Sequence, residues 1–394
     1  MKTDIYTIQP GDTLSGIAAR FQIPVSDLSS LNGISVSESL VVGQSILIPH
    51  LRKTIVSLAY FQLNRLDDLA RSLRQIGQSV TYGALFQIPV TKDGLFLIPE
   101  NAHIDWFINL LNSHHIQPLL VITNLTPEKF DPDLAKAVIG DETLKNQLIN
   151  NLVRILSFYG FAGVNIDFEN IAAADQDLYN EFIRSIKQTL SPEGYLVTLT
   201  VPPRNSDTDP TYGAYDYETL GMWADYIFIM TYDWGYPLGP PMAVAPLNEV
   251  QKVLTYALSK VSSSKIIQGI PLYGYDWPLP FTVENPARAV TLVEVYNIAR
   301  RFGATINYDA VAQSPFFNYT NETGKDHVVW FEDSRSVRAK YAGARNLGLG
   351  GVGFWSGQNY PYGFHQNWII FEEMFQIIKF TLTVYGTLSP NNLK

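Results

Sequence analysis

From residue 54 onward, short apolar runs of strand length alternate with longer amphipathic stretches, and this rhythm limits the chain to very few architectures. Eight runs read as strands: 55–61, 80–86, 118–123, 163–168, 195–201, 226–231, 265–273 and 351–355. Between them, 142–159 places Leu144, Leu148, Leu152, Ile155 and Leu156 at helical spacing, and 176–190 does the same with Leu178, Phe182, Ile186 and Leu190. Strands alternating with crossover helices encode a parallel sheet, and eight such units in roughly 320 residues predict an α/β fold of the (β/α)8 TIM-barrel type. The active site of such a barrel lies at the C-terminal ends of its strands. One interval breaks the rhythm. Between the seventh and eighth runs the chain is about three times longer than a single crossover helix needs, and 307–331 is rich in aromatic, strand-like sequence. We read 278–335 as a small α+β insertion forming one wall of a groove, with a long ordered loop as the alternative.

Residues 3–49 form a separate pattern. An alternating strand (Ile5, Tyr6, Thr7, Ile8) leads to Pro10-Gly11-Asp12 as turn and helix cap, then to a helix with Leu14, Ile17, Ala18 and Phe21 on one face. A second short helix is expected with Ser26 as its N-cap after Pro24, Leu28 and Leu31 as its apolar face, and Asn32-Gly33 as its stop. Val42-Gly43-Gln44 then enters a closing strand, giving a βααβ unit. A chain of 394 residues exceeds the usual ceiling for one core, so two unequal domains are expected. The stretches YTIQPGDTLSGIAARF, LNGI and VVGQSILIP resemble a lysin-motif (LysM) repeat along nearly its whole length. The resemblance implies binding of glycans containing N-acetylglucosamine; a small packed domain without a ligand is the other reading. The domains are then a LysM domain at 1–50, a catalytic barrel at 51–380 and a C-terminal tail at 381–394.

Composition narrows the partners. With 28 basic against 37 acidic residues the net charge is −9, which leaves no basic surplus to displace phosphate counterions, so nucleic acid and anionic membrane surfaces are not expected partners. The absence of cysteine excludes disulfides and thiolate metal sites. No segment reaches the length of about 18 uncharged apolar residues that would span a bilayer, and MKTDIYTIQPGDTL lacks an apolar stretch of signal-peptide length. An aromatic share of 13% suits surfaces that stack on flat ligands such as sugar rings, and equally a well-filled core.

The most informative stretch for chemistry is Gly163-Val164-Asn165-Ile166-Asp167-Phe168-Glu169. Its period of 2 sets Asn165, Asp167 and Glu169 on one face, which in a closed barrel is the interior. Buried carboxylates are costly where Val or Ile would serve, so their presence signals function. Neighbouring inward acids cannot both ionise freely, which raises the outer one toward the range useful for proton donation. Glu169 would then protonate a leaving oxygen. A glycosidase usually needs a second carboxylate as nucleophile or base, but a 2-acetamido sugar can supply its own carbonyl oxygen, which Asp167 would orient.

In these residues the barrel resembles the glycoside hydrolase family 18 catalytic domain, whose strand-four signature is DGxDxDxE, over roughly residues 54–380. The resemblance implies that Glu169 is the acid/base and Asp167 the acetamido-positioning aspartate of a retaining, substrate-assisted mechanism. The chain departs from the signature at Asn165 and Ala162, where the family usually carries carboxylates; Asn165 removes a possible proton reservoir for Asp167. Met230-Thr231-Tyr232-Asp233-Trp234 resembles the family's sixth-strand motif, which implies that Tyr232 donates to the acetamido oxygen and Asp233 contacts the sugar. An inward Tyr can also simply fill a barrel. Gly351-Val352-Gly353-Phe354-Trp355 resembles the eighth-strand end that delivers a tryptophan floor, here Trp355.

Further substrate-binding candidates are Met230, Trp234, Tyr273, Asp276, Asn124 and Tyr60, with Trp277 and Phe86 beside them; each can equally be packing. Asn318 and Asn321 match glycosylation acceptors, which we read as coincidental. The 6 histidines are scattered and His114-His115 has no partner cluster, so neither a metal nor another cofactor is expected. VNIDFEN, MTYDWG followed by GPPMA, and VWFEDSRSV, with one LysM, are similar to the spore cortex-lytic N-acetylglucosaminidases of Bacillus-type spore formers, which usually carry two LysM copies. That resemblance implies cleavage after N-acetylglucosamine in cortex peptidoglycan fragments during germination by a monomer held in the spore coat or cell wall. It also suits an N-terminus without a secretory signal. A chitinase or chitooligosaccharide hydrolase, acting on a chitin-like polymer, and a non-catalytic glycan-binding coat protein are the alternatives.

Overall fold

In the N-terminal unit, Thr3–Thr7 pairs antiparallel with Ser45–Pro49, and helices Leu14–Arg20 and Val25–Asn32 pack against that ribbon. The computed structural model of the chain describes residues 3–21, 23–49, 53–63, 66–99, 103–356 and 365–379; the tail read at 381–394 lies outside them. The first helix is capped by Thr13, whose hydroxyl accepts from the Gly16 amide. Asp12 braces the turn instead, accepting from the Gln9 amide at 2.8 Å and from the Tyr6 hydroxyl at 2.6 Å. The second helix starts two residues earlier than the sequence suggested. Pro24 is its N-cap, with the Pro24 carbonyl receiving the amides of Asp27 and Leu28, and Ser26 falls inside the first turn with its hydroxyl on Asp27. Gly33, at φ 62°, ends the helix in the left-handed conformation that glycine adopts without strain. Asn32 ties that end to the closing strand: its amide donates to the carbonyls of Leu28 and Leu47 and accepts from the Leu47 amide at 2.7 Å. Ile8, Leu14, Ile17, Leu28, Ile46 and Ile48 form a core of this unit's own.

The rest of the described chain is a closed parallel barrel. Its strands in order are Lys53–Phe61, Tyr82–Pro89, Gln117–Thr123, Gly163–Asp167, Leu196–Val201, Tyr226–Ile229, Ile266–Pro271 and Gly351–Trp355. Each pairs with the next, and the eighth returns to the first in the register Gly351↔Val56 to Phe354↔Ala59. A short final strand, Phe375–Ile377, adds to the outside of the first at Lys53–Ile55. The crossover helices are sharply bounded: Glu142–Tyr159 begins at Asp141, whose carboxylate accepts from the amides of Thr143 and Leu144, and ends at Gly160, φ 79°.

Between the seventh and eighth strands lies an antiparallel sheet of five strands, Gly274–Pro278, Arg288–Val290, Asn307–Asp309, Ser314–Thr320 and Asp326–Trp330, with helix Leu292–Arg301. It is the α+β insertion read from the sequence. The apolar run 265–273, which reads as a single strand, ends its barrel pairing at Pro271, and a new strand opens at Gly274 to pair with the insertion. Both strands are buried on both faces, so the apolar pattern runs through the break without a mark.

Candidate active site

The fourth strand puts its apolar and polar residues on opposite sides. Phe168 turns outward and stacks on Phe182 of helix Gln176–Leu190 at 5.4 Å between ring centres. Asn165 turns inward, where its amide oxygen accepts from the Tyr60 hydroxyl at 3.2 Å and the Thr200 hydroxyl at 2.9 Å, and its nitrogen donates to Thr198 at 2.9 Å. Asn165 and Tyr60 are fully buried, so they form a neutral polar floor and do not line an open groove. Asp167 follows on the same face, 4% exposed, with one carboxylate oxygen that no described residue satisfies. Sheet pairing stops at Asp167, so Glu169 stands half-buried where the chain leaves the barrel.

The sixth strand brings Tyr232 and Asp233 to this end of the barrel. Gly269 makes room for the phenol, since a side chain there would lie 2.9 Å from the Tyr232 ring, and Gly353 makes room for the neighbouring Phe228 ring. Asp233 holds a left-handed backbone, φ 62°, and one of its oxygens accepts from two hydroxyls, Tyr273 at 2.6 Å and Tyr275 at 3.1 Å. Trp355 is partly exposed at the end of the eighth strand, its ring 4.6 Å from Phe86 and 5.7 Å from Tyr60.

Asp167 and Glu169 thus share a region of low polarity, with the more exposed Asp233 acting on Glu169 from beside it. Burial drives the Asp167 carboxyl well above its ordinary range, and the negative charge of Glu169 adds to the effect. Burial, then the charge of Asp233, pushes Glu169 up to about 7. Asp233 is raised by burial and held back by the two phenols that donate to it. Tyr232 is raised as well, so it stays a neutral donor across the working pH range. This is a set of groups that can hold a proton at neutral pH and give it to an oxygen beside them.

The remaining candidates are distributed unevenly. Tyr273 reaches the site through Asp233, while Met230 and Trp234 are partly buried in the stretch that follows the sixth strand. Asp276 is engaged elsewhere: it is buried in the insertion sheet, where Tyr319 donates to it at 2.8 Å and His327 lies at 2.9 Å. Asn124 is fully buried, its amide taken up by the main chain of Glu169 and Asp131, so any effect on substrate passes through Glu169. Sequence reasoning missed Tyr275, which the insertion sheet carries onto Asp233, and Tyr212, whose phenol feels the charge of Glu169. The repeat of tyrosines in PLYGYDW was the one available signal for the former.

The chain is similar to known proteins along nearly its whole length. The family model described as glycosyl hydrolases family 18 matches residues 128–359, and the LysM domain model matches residues 6–49. A cortical fragment-lytic enzyme of Bacillus anthracis is 38% identical, over 95% of this chain and 99% of that protein. One from Bacillus subtilis is 34% identical, over 96% and 99%. Among solved structures, the spore cortex-lytic enzyme SleL of Bacillus cereus superposes with a TM-score of 0.81 at 36% identity, covering 96% of this chain and 88% of that one.

Proposed function

Because the chain belongs to glycosyl hydrolase family 18 and carries a LysM domain, we propose that it hydrolyses β-1,4 linkages after N-acetylglucosamine in peptidoglycan, with spore cortex fragments released during germination as its substrate. The observation that carries the reading is the juxtaposition, at the end of one strand, of a half-buried Glu169 just past it, whose carboxyl stays protonated up to about 7, with a buried Asp167 that keeps one oxygen without a described partner. In this reading Glu169 protonates the glycosidic oxygen as the bond to C1 breaks, and the 2-acetamido oxygen of the same sugar closes on C1 from the opposite face. Asp167 accepts from the acetamido N–H and steadies the positive charge that develops on that ring, while Tyr232 donates to the acetamido oxygen. Glu169, now ionised, takes a proton from water, which opens the ring and restores the configuration at C1. Trp355 offers an apolar floor for the sugar, and Asp233 a free oxygen for its hydroxyls.

The cortical fragment-lytic relatives and the LysM domain support cortex peptidoglycan over chitin and a place in the spore coat or cell wall. Retention of Glu169 disfavours a purely glycan-binding role. Glu169→Gln is expected to lower release of reducing ends from cortex fragments by at least about 1000-fold while glycan binding persists. Full activity in that variant sinks the mechanism, and turnover of chitin oligomers in preference to muropeptides sinks the substrate.

A further inference from the structure

Glu169 stands beyond the last paired residue of its strand, so the sheet does not fix its backbone. What fixes it is a side chain from the neighbouring third strand's end. The Asn124 amide oxygen accepts from the Glu169 N–H at 2.8 Å, and the Asn124 nitrogen donates to the Glu169 carbonyl at 2.8 Å. The second hydrogen of that nitrogen goes to the Asp131 carbonyl at 2.9 Å, and the Asp131 amide returns a bond to the Asn124 carbonyl at 2.9 Å. The amide is therefore fully satisfied, wholly buried, and bound to both polar groups of one residue's main chain. Tyr215 flanks it, donating to the Phe168 carbonyl at 2.9 Å and accepting from the Ile171 amide at 3.3 Å. Phe168, Glu169 and Ile171 are thus bonded through their main chain to buried side chains in place of a strand partner, on either side of Asn170, which turns left-handed at φ 59°.

We propose that Asn124 is a positioning residue that clamps the Glu169 backbone and thereby holds its carboxyl at the buried mouth beside Asp167 and Asp233. The proposal rests on the reading of Glu169 as the acid/base. A side chain free to swing by 1 Å loses much of the rate that fixed geometry supplies, and it also escapes toward water. Only asparagine at this length offers an acceptor and a donor to the two groups of one residue; aspartate keeps the acceptor and loses the donor, and alanine loses both.

The test uses the full chain and two variants, Asn124→Ala and Asn124→Asp, with two readouts. The first is kcat and KM on soluble cortex fragments. The second is titration of the Glu169 carboxyl by carbon NMR, in a background where the other site groups, Asp167, Asp233, Tyr212 and Tyr215, are unchanged. Both variants are expected to lose at least tenfold in kcat with KM within about twofold, and in the alanine variant the Glu169 titration moves down from about 7 toward the ordinary carboxylate range. If the alanine variant does not fold, the isosteric aspartate variant decides through kcat. Unchanged kcat in a folded variant, with an unmoved titration, overturns the clamp. A moved titration in a chain whose wild type hydrolyses nothing upholds the clamp and overturns the reading of the reaction instead.

Discussion

Glu169 keeps its proton because of three neighbours' worth of chemistry: apolar walls that exclude water, the charge of Asp233, and the absence of any described Lys or Arg paired with it. The sign of the resulting pH dependence follows directly. Glu169 donates only when protonated, and its protonated fraction falls as pH rises through about 7, so kcat/KM is expected to fall on the alkaline side with a limb near that value. Asp233→Asn removes a negative charge that opposes ionisation of Glu169, so the limb moves to lower pH. A pH–rate profile measured on both proteins checks this, and a limb that stays in place would show that Asp233 does not act on Glu169. The phenols matter at the same scale: Tyr273 and Tyr275 both donate to one oxygen of Asp233, favouring its charged form and leaving the other oxygen open.

At the scale of elements, the stretch that joins insertion to barrel is built around a buried ion pair. Glu332, which follows the strand Asp326–Trp330, and Lys340 of helix Ser334–Asn346 are both fully buried and meet at 2.8 Å; the other oxygen of Glu332 has no described partner. Asp333 caps the same helix, accepting from the amides of Arg335 and Ser336. The sequence WFEDSRS therefore supplies one partner of a buried ion pair and a helix cap where the insertion rejoins the barrel. Lys340→Met strands a carboxylate without its partner and is expected to cost about 3–5 kcal/mol, of which Glu332→Gln in the same chain recovers a large part. Urea unfolding of the single and double variants measures it, and a loss below about 1 kcal/mol for the single variant contradicts the account. The barrel and insertion were legible from the sequence because hydrophobic period is a local signal: Leu144, Leu148, Leu152, Ile155 and Leu156 outline 142–159, the helix that Asp141 and Gly160 bound in space, whereas the N-caps read at Asp12 and Ser26 fall to Thr13 and Pro24. Asn165, Asp167 and Glu169 stood out because polar residues on the inner face of a barrel strand break its pattern. The clamp by Asn124, the engagement of Asp276 by His327, and the reach of Tyr275 were not legible, since each joins residues far apart in the chain through side-chain geometry that leaves no periodic trace.

On the scale of the whole molecule, the two domains have separate cores. The apolar residues of the LysM unit contact one another, and the barrel cluster runs from Ile55 to Phe375 without including any of them. The barrel closes through pairing of its own first and eighth strands, and among the described residues no backbone hydrogen bond of the barrel wall depends on the LysM ribbon. A chain lacking residues 1–50 should therefore fold, with an unfolding midpoint close to that of the barrel transition in the full chain. Its kcat/KM on small soluble fragments should lie within about twofold of the full chain's, since Asp167, Glu169, Tyr232 and Asp233 and their supports all lie in the barrel and insertion. On insoluble cortex the two proteins should part, because a tethered second binding site raises the local concentration of substrate at the barrel mouth and its loss removes that advantage without touching the chemistry. Sedimentation with purified cortex, together with rates on soluble and insoluble substrate, separates the two effects. An equal fall in rate on both substrates would mean that the LysM unit completes the active site, and the division of labour would have to be abandoned.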